Sequence, residues 1–239
     1  MKSLQTSALA LLSLTVLSTF SQAGEEIIII EPISYASKPA EPSPWWMEAT
    51  GFYGFAQSKL FKASSAAQAG HVDIIGGDLT LGQNIASCGI GGTHAWDIRF
   101  GYGYGSNWNS NGYAAIDGEL YHEKARVNRF YLMPGYRYSA ALGDSWGMFL
   151  GVNLGVDNAS IKSDMTNGGG DLHAHQSEWG FVYSAEIGLK YQMSKSWYMT
   201  LAYEFQGSTA SPKLSYEGNE METRDQYYHT VRLGMGWDF

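Results

Sequence analysis

Thr230-Val231-Arg232-Leu233-Gly234-Met235-Gly236-Trp237-Asp238-Phe239 is the stretch on which the fold turns. Val231, Leu233, Met235, Trp237 and Phe239 are bulky and apolar. The residues between them are Thr, Arg, Gly, Gly and Asp. An apolar period of two is the pattern of a β-strand with two unlike faces, not of a helix. Reading backward, the same alternation recurs. Trp197, Met199, Leu201, Tyr203 and Phe205 oppose Tyr198, Thr200, Ala202, Glu204 and Gln206. Phe181 to Tyr191 and Trp146 to Val156 repeat it, as do Phe130 to Tyr138 and Trp96 to Tyr104. Two further strands are weaker, His71–Gln83, where Gly76-Gly77 suggests a bulge, and Trp46–Gln57, whose faces are harder to assign. The total is eight.

The connections alternate in length. Ile85–Thr93, Ser139–Ser145 and Met193–Ser196 are short. Phe61–Gly70, Ser106–Tyr121, Lys162–Gln176 and Gly207–Arg224 are long and polar. Short turns at one end and long loops at the other describe an antiparallel meander with both chain ends on the short-turn side.

Composition decides what surrounds the strands. The 239 residues carry a net charge of −8, with 16% charged, 14% aromatic and 29 glycines. The acidic balance excludes a general nucleic-acid binder, which needs a basic footprint. One cysteine excludes a disulfide scaffold. A water-soluble barrel turns its bulky face inward and exposes many Lys and Glu. Here the polar face is small, rich in Gly, Ala, Ser and Thr. Eight strands enclose a narrow interior, so the bulky face belongs outside, against lipid. Aromatics gather near strand ends, as Tyr138, Trp146, Tyr191, Trp197, Trp237 and Phe239 at the short turns. Tyr104, Trp108, Trp179, Phe205 and Tyr227 lie toward the loops, and both groups suit interfacial belts. The expected fold is all-β, an eight-stranded antiparallel up-and-down transmembrane β-barrel over residues 45–239.

Residues 1–23 read as a signal peptide, with Lys2, an apolar Ala8–Phe20 run too short and polar to span, and Ser21-Gln22-Ala23 at the cleavage site. Residues 24–44 hold four of the six prolines and read as an extended periplasmic tether.

The final strand resembles the C-terminal assembly signal of bacterial outer-membrane proteins, and residues 46–239 resemble the small Opa/OmpA-like eight-stranded barrels. The resemblance implies residence in the outer membrane among its lipids. It also implies insertion by the barrel assembly machinery, with Phe239, Trp237, Met235 and Leu233 as the recognised residues. It implies no single activity.

Charges on the inward face are Asp97, Arg99, Arg129, Arg137, Asp157, Glu186, Lys190, Glu204 and Arg232, with Glu48 a further candidate. Buried charges must pair. Counting from the turns sets Glu204 level with Arg232 on adjacent strands, Glu186 on their other side, and Arg129 level with Asp157. Such a network is either an ion path or a plug, and a narrow barrel favours the plug. His173 and His175 with Asp171 have metal-ligand chemistry but sit in a Gly-rich loop without a fourth ligand, so no metal is expected. His229-Thr230 and Ser177-Glu178 near the rims offer no nucleophile–base spacing, and no enzyme or cofactor is expected. Gly101–Gly105 lies on a strand and is not a phosphate loop. Cys88 is a lone thiol near a turn. Trp108, Tyr113, Leu214 and Tyr216 in polar loops suit either packing within the loops or an extracellular protein or glycan partner. The expected function is therefore non-enzymatic, in interaction, adhesion or envelope integrity. A small pore or transporter is the alternative, and a lipid-modifying enzyme comes third.

Overall fold

A computed structural model describes residues 45–56, 72–88, 92–106, 112–116, 119–167, 170–216, 219–223 and 225–239. The signal peptide, the tether and loop 61–70 lie outside the described residues. Eleven strands follow in chain order: β1 (Trp45–Ala56), β2 (Asp73–Cys88), β3 (Gly92–Ser106), β4 (Gly112–Ile116), β5 (Glu119–Ala141), β6 (Trp146–Asn167), β7 (Gly170–Gln192), β8 (Trp197–Ser208), β9 (Lys213–Tyr216), β10 (Asn219–Glu222) and β11 (Gln226–Asp238). Eight of them form a ring in the order β3-β2-β1-β11-β8-β7-β6-β5, closed by β5 pairing with β3. Every pairing is antiparallel. β11 zips onto β1 from Trp46↔Asp238 to Ala56↔Tyr228, which brings the two chain ends of the barrel to one rim. Closure leaves no sheet edge in lipid, where unpaired N–H and C=O groups would be costly.

The alternation in sequence becomes inside and outside. Leu154, Phe181, Leu233 and Leu201 are 61%, 66%, 58% and 53% exposed, while their neighbours Asn153, Val182, Arg232 and Ala202 are buried. A surface this apolar is stable only against hydrocarbon. From Tyr191 to Phe181 the outward face of β7 is apolar at every second position. Ten residues at ~3.3 Å each, tilted ~40°, span about 25 Å, the height of an outer-membrane apolar band. Trp146–Tyr191 and Trp197–Trp237 ring pairs, with centroids 4.8 Å and 5.3 Å apart, form the belt at the short-turn rim. Trp179 marks the opposite rim.

The interior holds more than small residues. Trp46, Phe52, Tyr131, Phe149, Tyr198 and Tyr228 point inward and are buried. They fit because glycine faces them. A Cβ on Gly82 would fall 2.1 Å from Trp46 Cζ2, and one on Gly236 would fall 2.2 Å from Tyr198 Cζ. Large and small positions thus interlock between neighbouring strands.

Three sequence expectations need correction. Gly76-Gly77 is not a bulge. β2 pairs without interruption through both residues, and its irregularity lies between Asn84 and Ala86. Two glycines merely hide the alternation by having no side chains. Lys162–Gln176 is not a loop. β6 and β7 run on, paired, to Asn167↔Gly170. Ser106–Tyr121 and Gly207–Arg224 likewise contain strand, β4 on β5 and the β9–β10 hairpin. β5, β6 and β7, with 23, 22 and 23 residues, therefore rise beyond the lipid band as a wall. The wall has its own core, Ala125, Val127, Ile161, Met165, Val72 and Leu214, with Tyr121, Leu172 and Ala174 packed on it.

Candidate functional site

Seven of the inward-pointing charges meet in one layer across the middle of the lumen. Arg232 reaches Asp78 at 2.7 Å, Glu204 at 2.8 Å and Glu186 at 3.8 Å. Arg99 bridges Glu204 at 2.5 Å and Glu186 at 2.8 Å. Arg137 joins Glu186 at 3.1 Å and Glu48 at 3.2 Å. Three guanidiniums thus face four carboxylates, drawn from β1, β2, β3, β5, β7, β8 and β11. Forked guanidinium geometry suits this, because one Arg can donate to two acids at once. Tyr131 donates to Asp78 at 3.1 Å, so that carboxylate is held from two sides. Phe52 lies under Arg232, and Trp46 and Phe149 each lie 4.6 Å from the Arg137 guanidinium carbon.

A second cluster lies nearer the long-loop rim. Arg129 meets Asp157 at 2.6 Å and also donates to Gln206, while Ser208 donates to Asp157 at 2.8 Å. A third contact, Lys190 to Asp238 at 3.5 Å, lies at the short-turn rim. The structure thus brings Arg232, Glu204 and Glu186 together, and Arg129 with Asp157. Arg99, whose partners the sequence left open, links Glu186 to Glu204. Asp78 escaped the sequence reading altogether. Arg137 and Glu48 belong to the same layer. Asp97 is buried too.

At the chain end, Phe239 is exposed and its backbone N–H donates to the Trp45 carbonyl at 3.1 Å. Leu233, Met235 and Trp237 face outward on β11.

The outer face of the wall is polar. His173 Nδ1 lies 2.9 Å from Asp164 Oδ1, and His175 Nε2 lies 2.9 Å from Ser160 Oγ. No group of three metal-ligating side chains occurs among the described residues. The Ser160–His175 pair is within nucleophile–base reach, a geometry hidden while this segment reads as loop. No third group orients His175 among the described contacts. On the inner face of the wall, Glu123 is 1% exposed and accepts a hydrogen bond from Ser163 Oγ at 3.0 Å. Burial beside the wall's apolar core pushes its carboxyl up to about 7. Cys88 ends β2. Trp108 lies outside the described residues, Leu214 is buried in the wall core, and of Tyr113 and Tyr216 the structure describes backbone in β4 and β9.

A closed ring of eight antiparallel strands, lipid-facing outside and ionic within, defines a small up-and-down β-barrel of the outer-membrane type. Solved structures share this fold. Outer membrane protein OprG from Pseudomonas aeruginosa is 14% identical, with a TM-score of 0.50, over 83% of this chain and 97% of its own. The outer membrane protease OmpT from Escherichia coli is 8% identical, with a TM-score of 0.51, over 85% of this chain and 100% of its own. Neisserial surface protein A is 12% identical at a TM-score of 0.46, over 83% and 99%. Sequence comparison finds no matching protein family and no matching curated protein. The protein is an outer-membrane β-barrel, and its likeness to the Opa/OmpA-like barrels is one of fold.

Proposed function

We propose that the protein is a non-enzymatic, non-conducting barrel whose working part is the wall outside the membrane. The wall offers a surface to an extracellular protein or glycan, or braces the envelope. The observation that carries this reading is the ionic layer. Side chains from seven of the eight ring strands meet across the lumen, and an ion would have to displace several charge-assisted bonds to pass. The experiment is single-channel recording in planar bilayers, where the wild-type protein should give no unitary steps. Regular steps of fixed size would refute it and favour the pore or transporter. Phe239, Trp237, Met235 and Leu233 act, on this reading, during insertion by the barrel assembly machinery.

One observation favours a second reading. Ser160 Oγ and His175 Nε2 are 2.9 Å apart at the outer interface, where a lipid ester could be reached. A lipid-modifying enzyme would change the lipid mass spectrum of cells carrying the protein, and Ser160→Ala would abolish the change. No change in the wild type removes this reading.

A further inference from the structure

The outward side chains of β5, β6 and β7 form level rows, because paired residues in a sheet stand side by side. Leaving the apolar band, the first row is Phe130, Asn158 and Trp179. The next is Asn128, Ser160 and Ser177. The third is Arg126, Lys162 and His175. The fourth is Lys124, Asp164 and His173. The third row lies four residues beyond the aromatic girdle, about 10 Å higher along tilted strands, at headgroup level.

Two features of that row ask for an anion. Arg126 and Lys162 are directly opposed in register, and like charges in that position repel. No acid lies between them and the lipid. On the outward side of β5, β6 and β7 the acids are Asp164 and Asp171, in the fourth row and beyond; Asp73, level with the third row but two strands away on β2, accepts a hydrogen bond from the Tyr53 hydroxyl. Asp164 is 3.7 Å from Arg126 and is also engaged by His173. Lys124 and Lys162 make no ion pair among the described residues. On these three strands Arg126 and Lys162 stand one row nearer the lipid than Asp164.

We infer that this row binds the phosphate of an anionic lipid headgroup in the outer leaflet. A phosphate between Arg126 and Lys162 turns their repulsion into two charge-assisted bonds, with Ser160 and Ser177 below as neutral donors. A soluble sulfated glycan would satisfy the charge but has no need of the adjoining aromatic girdle. The lipid meets both, because its chains lie along the apolar band. The inference rests on the wall facing outward, as in the proposed function. Protease cleavage of the wall on intact cells reports that separately.

The test uses the full-length protein folded in phosphatidylcholine vesicles containing bisphosphorylated lipid A or its phosphate-free form. Lipid retained per barrel is read by native mass spectrometry. Wild type should retain the phosphorylated form and not the phosphate-free one. Arg126→Gln with Lys162→Gln should weaken retention about thirtyfold, at two surface charges. Asp164→Asn should strengthen it severalfold, and Lys195→Gln, in a short turn at the other rim, should change nothing. Gel mobility of boiled and unboiled samples confirms folding of each variant. Should the double variant not fold, the Asp164→Asn result decides. Equal retention of both lipids, an unaffected double variant or an unaffected Asp164→Asn would each overturn the inference. So would equal competition by inorganic pyrophosphate in lipid-free micelles. The same holds if heparin binding, and not lipid retention, is lost in the double variant.

Discussion

Arg232→Ala removes the guanidinium that joins Asp78, Glu204 and Glu186. The three carboxylates do not suffer equally. Glu204 and Glu186 keep Arg99, and Glu186 also keeps Arg137. Asp78 keeps only the Tyr131 hydroxyl among its described partners. It becomes a buried anion without a cation, and breaking a buried pair in this way costs about 3–5 kcal/mol. With a urea slope of ~3 kcal/mol/M, the unfolding midpoint should fall by about 1 M or more. The assay is equilibrium unfolding in lipid vesicles, followed by tryptophan fluorescence and by heat-modifiable gel mobility. Adding Asp78→Asn to Arg232→Ala should restore about 1–3 kcal/mol, because it removes the stranded charge. An unchanged midpoint in Arg232→Ala would refute the plug. A rise in conductance without loss of stability would do the same. Failure of Asp78→Asn to rescue would show that the cost does not sit where the geometry puts it.

Three further outcomes follow from other parts of the molecule. Gly236→Ala should lower stability by about 1–3 kcal/mol through overpacking against Tyr198, and Tyr198→Leu should restore it, as read by the same urea midpoints. Glu123 has a folded pKa of about 7, above its unfolded value near 4.5, so the folded wall prefers the proton. Its stability is then greatest below pH 4.5, falls between pH 4.5 and 7, and is lower by about 3 kcal/mol above that. Hydrogen exchange of the Val127 and Ile161 amides, corrected for intrinsic rates, should show this fall, and Glu123→Gln should flatten it. Phe239→Ser should slow assembly in cells while leaving the unfolding midpoint of the assembled barrel within about 0.5 kcal/mol of wild type, since Phe239 is exposed. An unchanged assembly rate would count against its role as a recognition residue.

The membrane-spanning half of the fold was open to reading because its two environments are opposite in chemistry. Leu233 and Arg232 cannot be exchanged without cost, so the period of two is enforced. The wall was not legible for the converse reason. Above the lipid band water replaces hydrocarbon outside, and the faces trade character. Val127, Ile161 and Met165 are now the inner residues, and Arg126, Lys162 and His175 the outer ones. A polar stretch with small residues then looks like loop. The missed signal was phase, since Ile161 and Met165 stay in step with Asp157 and Asn153 on the inward side. Asp78 was lost to a similar accident. Counting back from outward Leu81 and Leu79 places it inside, but Gly76 and Gly77 leave nothing on which to check the count. The partners of Arg99 could not be read at all, because Glu186 and Glu204 reach it across the lumen, not along a hairpin.

The unequal strand lengths have a geometric consequence. β1, β8 and β11 stop after 12, 12 and 13 residues, while β5, β6 and β7 continue for 22 or 23. The rim is cut on a slant. Ten extra residues raise one side by about 25 Å over the other at the usual strand tilt. Anything approaching the mouth from the high side meets a sheet. On the low side the strands β8, β11 and β1 end nearer the membrane. The barrel therefore has a front and a back within the plane of the membrane, and its neighbours there will find it differently according to which side they share.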